Sequence, residues 1–129
     1  MAMSLTAHLA GGKRTLVPLR EVERVSPRVV RVLGGNPGSY TLQGTSTYVV
    51  GTGAQRVLVD AGDGERRAGY VDRLKAALRE MGAEGIDTVL VTHWHHDHVA
   101  GVADVVDAFP HARVFKNLPA HPDAVAATG

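Results

Sequence analysis

The chain is organised around one short stretch, Thr92-His93-Trp94-His95-His96-Asp97-His98. An apolar run at residues 88–91 precedes this stretch, and a run with helical spacing of apolar residues at 99–108 follows it. The pattern predicts that a β-strand ends and a helix begins here. In layered α/β folds, such a strand end is where ligands bind. The stretch is therefore the first place to look for chemistry.

The spacing of its polar residues predicts a metal site with two ions. His93 and His95 are two residues apart at the strand end, where alternate side chains share a face, so they can bind one ion together. Asp97 and His98 follow in the turn and can bind a second ion close by. Imidazole and carboxylate ligands suit zinc, manganese or iron. The competing interpretation is a surface histidine run that binds metal adventitiously, but such a run lacks the flanking strand and helix.

An aspartate at the end of an earlier strand is a further candidate. Asp60 closes an apolar run at 56–60, immediately before Ala61-Gly62. It is either a turn former or an acceptor that orients a ligand imidazole through its ring N–H. Its position alone leaves both interpretations open.

Composition limits the broad class of protein. The 129 residues are 44% hydrophobic, which predicts a single compact domain. Lys and Arg number 14 against 13 Asp and Glu, so net charge names no partner. Because the chain has no cysteine, disulfides and thiolate metal sites are excluded. No apolar run approaches the ~20 residues of a membrane span, which predicts a soluble intracellular protein. No oligomeric state is indicated.

The remaining sequence predicts a tail followed by alternating strands and helices. Residues 1–20 lack a sustained period and are predicted to be a flexible tail, although their basic character also leaves open a mitochondrial targeting segment. Apolar patterns predict strands within 22–33, at 47–50, 56–60 and 113–116, and helices over 66–81 and 99–108. Together these elements predict an α/β fold.

Two adjacent metal ions favour hydrolysis. They lower the pKa of a shared water and stabilise the anionic transition state. Asp97 would bind the second ion and take the proton of the nucleophile, which makes it the candidate catalytic residue. The residues alone do not choose among a phosphodiester, a thioester and an amide.

The motif resembles that of a known family. Residues 92–101 are similar to the T-H-x-H-x-D-H-x-x-G signature of the metallo-β-lactamase superfamily, and Asp60 falls where that superfamily has its preceding strand-end aspartate. Residues 25–34, Asn36-Pro37-Gly38, residues 41–45 and Thr47-Tyr48 resemble the β-lactamase-like protein 2 group. Animal members of that group are mitochondrial endoribonucleases that act on single-stranded RNA.

The resemblance implies a fold and a set of site residues. The expected fold is the N-terminal half of an αββα sandwich, a mixed sheet with flanking helices, spanning residues 21–129. His93 and His95 would bind the first Zn²⁺, Asp97 and His98 the second, and Asp60 would support them. The family takes further ligands from a second half-domain, so this chain is expected to be truncated and to lack part of the active site. Alone, it is expected to be unfolded or to hold less than one tightly bound zinc ion per molecule.

The expected function is zinc-dependent endoribonuclease activity on single-stranded RNA through a metal-activated water. The expected location is the mitochondrial matrix or the cytoplasm, with no membrane association. One alternative is a thioester hydrolase like glyoxalase II, which shares the same ligands in its first half. The other is a non-catalytic remnant that binds metal weakly.

Overall fold

A computed structural model describes residues 7–10, 13–63, 69–92 and 96–116, with the backbone alone at 7–10, 13–16, 96 and 97. Six strands come first along this length, and helices occur only after residue 69. In chain order the elements are β1 (Ala7–Ala10), β2 (Lys13–Leu16), β3 (Val22–Ser26), β4 (Val29–Leu33), β5 (Ser46–Val50), β6 (Gln55–Val59), α1 (Tyr70–Met81), β7 (Gly85–Val91), α2 (His96–Val99), α3 (Val102–Ala108) and β8 (Arg113–Lys116).

The main sheet has six strands in the described part of the chain, in the sequential order β3-β4-β5-β6-β7-β8. Neighbours from β3 to β6 are antiparallel, whereas β6, β7 and β8 are parallel. This topology brings the ends of β4, β6 and β7 and the start of β5 to the same end of the sheet. We call that end the site edge, and the opposite end the far edge. The predicted mixed sheet with flanking helices is confirmed.

Alternating side chains of the sheet build the core with α1. Val49 and Leu58 lie opposite each other on β5 and β6 and are fully buried. Leu74 and Leu78 of α1 are buried in the same cluster, as their four-residue spacing predicts. The helix ends at Gly82, whose φ of 69° is readily available only to glycine. The sheet face beneath α1 is therefore the packed face.

Two arginines fix the C-terminus of α1 at the far edge. Arg56 is buried and donates hydrogen bonds to the carbonyls of Gly51, Gly53 (2.8 Å) and Met81 (3.2 Å). Arg24 donates to the carbonyl of Glu80 at 2.7 Å. The last carbonyls of a helix have no partner within the helix, so these two cations satisfy them.

The other face of the sheet is open where β7 meets β8. Leu90 and Phe115 are paired in register there and are 41% and 47% exposed. With their neighbours they form a depression of about 500 Å³ on this face. We call it the face depression; its lining is Val59, Leu90, Val91, Thr92, Phe115 and Lys116.

Two regions differ in detail from the prediction. Within residues 1–20, predicted to be a flexible tail, β1 and β2 pair as an antiparallel two-stranded sheet, and the domain boundary stays a prediction. The helix predicted over 99–108 is divided into α2 and α3 at Ala100 and Gly101, because the backbone of Gly101 bonds to the turn after β6. No helix among the described residues is long and apolar enough to cross a membrane.

Candidate metal centre

Asp60 occupies an unusual position at the site edge. It follows β6 directly, has a φ of 64°, and is only 5% exposed. Its backbone N–H donates to the carbonyl of Leu90 at 2.8 Å, which ties the end of β6 to the end of β7. A positive φ is uncommon outside glycine, although aspartate tolerates it better than most residues. The turn therefore directs the carboxylate toward β7 and α2.

The Asp60 carboxylate gathers donors from both neighbouring segments. The backbone N–H of Thr92 donates to Oδ1 at 2.8 Å, and the Thr92 hydroxyl lies 2.8 Å from Oδ2 and 3.0 Å from Oδ1. His98 Nδ1 lies 2.7 Å from Oδ2. These contacts cross 32 and 38 residues of sequence. A buried carboxylate held in this way has one fixed orientation.

The contact with His98 determines what its ring can offer. A carboxylate only accepts hydrogen bonds, so Nδ1 carries the hydrogen that it donates to Asp60. In a neutral imidazole the other nitrogen, Nε2, then has the lone pair that a metal ligand requires. The His98 side chain is 20% exposed. Its donor chemistry therefore fits the zinc role predicted for it.

Backbone contacts lock the Asp60 turn against the segment that carries His98. Ala61 N donates to the carbonyl of His98 at 3.0 Å, and Gly101 N donates to the carbonyl of Gly62 at 3.1 Å. A Cβ on Gly101 would lie 1.9 Å from the carbonyl oxygen of Ala61. Only glycine fits such an approach, which gives the last glycine of the motif a packing role.

A buried tyrosine supports the turn from beneath. The Tyr70 hydroxyl donates to Thr47 Oγ1 at 2.7 Å, and that hydroxyl donates to the carbonyl of Val32 at 2.8 Å. The Tyr70 ring lies 3.7 Å from where a Cβ on Gly62 would be. Burial raises the pKa of the tyrosine hydroxyl well above its ordinary value of 10.0, so the neutral donor form is retained. In the sequence, Tyr70 is recognisable only as one of the apolar residues of the helix predicted over 66–81.

The predicted ligands are described to different extents. His93 and His95 lie outside the described residues, and Asp97 is described only by its backbone within α2. His98 is the one predicted ligand with a described side chain, and it is brought to Asp60. No three His, Asp or Glu side chains converge within the part of the chain described. The ligand set, the catalytic role of Asp97 and the two interpretations of Asp60 stay predictions, and what the structure shows is that Asp60 lies beside the imidazole of His98.

A family comparison adds to this geometry. The model of the metallo-beta-lactamase superfamily matches residues 40–116, which include the Asp60 turn and the histidine stretch. The chain belongs to the metallo-β-lactamase superfamily. Members of this superfamily generally bind zinc and act as hydrolases.

Fungal relatives in this superfamily match most of the chain. A lactamase-like protein of Pestalotiopsis microspora is 48% identical over 109 residues, which cover 83% of this chain and 33% of the relative. An atrochrysone carboxyl ACP thioesterase of Cryptosporiopsis sp. is 45% identical over 87% of this chain and 34% of its own length. Another thioesterase of that name, from Aspergillus fumigatus, is 49% identical over 82% and 33%. The chain spans about a third of the length of these relatives.

Solved structures of metallo-β-lactamases share the fold. The enzyme from Pontibacter korlensis superimposes with a TM-score of 0.60 at 22% identity, covering 75% of this chain and 43% of that one. The DIM-1 enzyme gives a TM-score of 0.55 at 22% identity, covering 74% and 41%. The predicted metallo-β-lactamase fold is therefore confirmed.

The comparisons support the superfamily but not specifically the predicted subgroup, the β-lactamase-like protein 2 endoribonucleases. The superfamily assignment is confirmed, but these relatives are fungal lactamase-like proteins and thioesterases. Of the two predicted enzyme classes, they favour the alternative, a thioester hydrolase, over the endoribonuclease.

Proposed function

We propose that this superfamily member functions as a zinc-dependent thioester hydrolase that releases an acyl group from an acyl carrier protein. The observation that carries the proposal is the identity of 45–49% to two proteins named as ACP thioesterases. Those matches cover more than four-fifths of this chain and include the Asp60 turn and the histidine stretch. The proposal replaces RNA with a thioester as the substrate and keeps the predicted metal chemistry.

His93, His95, Asp97 and His98 would hold the zinc ions. When bound, zinc supplies Lewis-acid polarisation of the thioester carbonyl and of water. Asp60 accepts the Nδ1 hydrogen of His98 at 2.7 Å, and this contact would make Nε2 the atom that binds zinc. Thr92 donates two hydrogen bonds to Asp60 and so fixes the carboxylate in turn. Asp97 would accept the proton of the attacking water.

The predicted endoribonuclease of the β-lactamase-like protein 2 group is the second candidate function. It rests on the motifs at residues 25–48, and none of the relatives described above carries a ribonuclease name. The net charge of +1 gives no independent support for a nucleic-acid path. The thioesterase is therefore the better-supported candidate.

The proposed partner is an acyl carrier protein rather than single-stranded RNA. The intracellular location, mitochondrial or cytoplasmic, is proposed on the same sequence features as before. The partner follows from the proposed substrate and is tested with it.

Three substrates distinguish the candidates when they are offered to the zinc-loaded protein in the form that carries the second half-domain implied by the family resemblance. We expect thiol release from an acyl-carrier-protein thioester, and loss of that release with a chelator or with Asp97→Ala. The exposed Asp87 at the far edge provides a matched carboxylate control, and Asp87→Asn should retain activity. Cleavage of single-stranded RNA without thioester hydrolysis would return the assignment to the ribonuclease. Turnover of S-lactoylglutathione alone would favour an enzyme like glyoxalase II, and no turnover with less than one bound zinc would favour the remnant.

A further inference from the structure

The ring of Tyr70 packs directly against the Asp60 turn. Tyr70 is the first residue of α1 and is buried. Its Cε2 and Cζ atoms each lie 3.7 Å from where a Cβ on Gly62 would be, which is ordinary van der Waals contact. The carbonyl of Gly62 in turn accepts the backbone N–H of Gly101 at 3.1 Å. The turn is therefore held by the ring as well as by the segment that follows His98.

Two hydrogen bonds in series fix the position of that ring. The Tyr70 hydroxyl donates to Thr47 Oγ1 at 2.7 Å, and the Thr47 hydroxyl donates to the carbonyl of Val32 at 2.8 Å. Thr47 is fully buried. These bonds connect the start of α1 to β5 and β4, and a buried polar network whose members are all satisfied is rigid. The ring thus has one position relative to the sheet.

Charged groups lie near the same ring. The guanidinium carbon of Arg73 is 6.0 Å from the ring centroid, within the range of a cation–π contact, and Arg73 Nε donates to the carbonyl of Leu33 at 3.1 Å. Burial is the largest cause of the raised pKa of the Tyr70 hydroxyl, and the negative charge of Asp60 raises it further. The hydroxyl therefore lies within electrostatic range of the carboxylate that contacts His98.

We propose that Tyr70 is a positioning residue that fixes the Asp60 turn and thereby orients the Asp60 carboxylate toward His98. The proposal rests on the zinc centre of the proposed function. Asp60 and Gly62 have φ values of 64° and 74°, so the turn contains two left-handed residues within three positions. A conformation of this kind at a residue other than glycine persists only where the surrounding structure enforces it. The Tyr70 ring is a part of that structure that reaches the turn from α1.

The competing interpretation is that Tyr70 is only a core residue of α1. Leu78 provides the matched control, because it is a buried side chain of the same helix and lies two turns further toward the far edge. Loss of either side chain removes apolar packing from the core. Only the loss of Tyr70 should disturb the Asp60 turn.

Zinc affinity and folding stability, measured together, separate positioning from packing. The protein in the form that carries the second half-domain is titrated with zinc against a chelating indicator, and its unfolding is followed in denaturant. We expect Tyr70→Leu to lower zinc affinity about 10-fold, the lower end of the range for residues that orient a metal ligand. Leu78→Ala should also lose stability, but its zinc affinity should change by less than about twofold.

A milder variant keeps the test decisive if Tyr70→Leu does not fold. Tyr70→Phe combined with Thr47→Val removes both hydroxyls, so neither is left buried without a partner and stability should stay near that of the parent. The ring is then no longer tied to β5, and zinc affinity should still fall about threefold. Parent-like zinc affinity in this double variant would then refute the role of Tyr70.

The ring ¹⁵N NMR signals of His98 in the zinc-free protein give a second readout. The parent should show the tautomer with hydrogen on Nδ1, and Tyr70→Leu should show a mixture of both tautomers. Equal zinc losses in Tyr70→Leu and Leu78→Ala, or parent-like affinity and His98 signals in Tyr70→Leu, would overturn the proposal. A parent that binds no zinc refutes the proposed function, and the His98 signals then decide the role of Tyr70. The thioesterase proposal fails separately if no acyl thioester is hydrolysed while the zinc affinities differ as expected.

Discussion

The far edge and the site edge of the main sheet are each stabilised by polar contacts, and the contacts at the two edges are of opposite kinds. At the far edge, the side chains of Arg24 and Arg56 donate to backbone carbonyls, and they close the C-terminus of α1. At the site edge, the carboxylate of Asp60 accepts from Thr92 and His98. The far edge uses cations to satisfy backbone atoms. The site edge uses backbone and hydroxyl donors to orient one anion, which in turn orients an imidazole.

This difference between the two edges predicts different effects of substitution on folding stability and on zinc affinity. Contacts of Arg56 end on the backbone, so losing them should affect folding alone. Contacts of Asp60 end on a candidate metal ligand, so losing them should affect metal affinity as well. Substitutions at the two edges should therefore divide into two classes by their effect on zinc binding.

The largest effect is expected for Gly101→Ala at the site edge. The new Cβ would lie 1.9 Å from the Ala61 carbonyl oxygen, and backbone must move to relieve the clash. We expect the free energy of unfolding to fall by about 3 kcal/mol, with loss of zinc affinity, measured by chemical denaturation and zinc titration. Gly53→Ala is the control: it has a φ of 86° and no atom within 4 Å, so it should cost about 1 kcal/mol. Equal costs would show that the clash is relieved without disturbing the turn.

The next effect is expected for Asp60→Asn. An amide can present an N–H toward His98 Nδ1, so the ring loses the acceptor that fixes its tautomer. We expect zinc affinity to fall by about 10- to 100-fold, measured by competition with a chelating indicator. Asp87→Asn, an exposed carboxylate on the same strand pair, should leave it unchanged. Unchanged affinity in Asp60→Asn would mean that Asp60 is only a turn former.

Arg56→Met should destabilise the far edge without touching the metal. It leaves the carbonyls of Gly51, Gly53 and Met81 without their donor in a buried position. We expect the free energy of unfolding to fall by about 2 kcal/mol and zinc affinity to change by less than about twofold. A parallel loss of zinc affinity would show that the two edges are coupled.

The smallest effect is expected for Thr92→Val. Asp60 keeps the backbone N–H of residue 92 and loses only the hydroxyl donor. We expect a loss of about 1 kcal/mol in stability and a weaker form of the Asp60→Asn zinc phenotype. Thr92→Ser retains the hydroxyl and should behave as the parent does. Equal stability and equal zinc affinity of the serine and valine proteins would show that the Thr92 hydroxyl does not help to hold Asp60.

The elements of the main sheet were predictable because each has a local signal. The alternation at Val49 and Leu58 and the helical spacing of Leu74 and Leu78 appear in the sequence, and the structure follows them. One of the two interpretations of Asp60 placed it beside a ligand imidazole, since Asp60 and the histidine stretch follow strand ends that a parallel pair brings together. Which imidazole it would meet was not predictable.

The contacts that complete the site had no local signal. The hydroxyl of Thr92 reaches Asp60 across 32 residues, and Tyr70 reaches Thr47 across 23. Neither partner can be chosen from periodicity, which reports only which face a residue occupies. The packing role of Gly101 likewise depends on the Ala61 carbonyl, 40 residues earlier in the sequence. Pairing of β1 with β2 was missed because residues 7–16 are short and lack an alternating pattern.

The sequential strand order has a kinetic consequence. Strands β3 to β6 pair with their nearest neighbours in sequence, so each pair can form as a hairpin by closing a short loop. Strand β7 pairs with β6 across the intervening α1, so this pairing closes a longer loop, and the metal centre requires that step. We therefore expect substitutions in the β4–β5 hairpin to slow refolding, and substitutions at Asp60 to accelerate unfolding with little effect on the refolding rate.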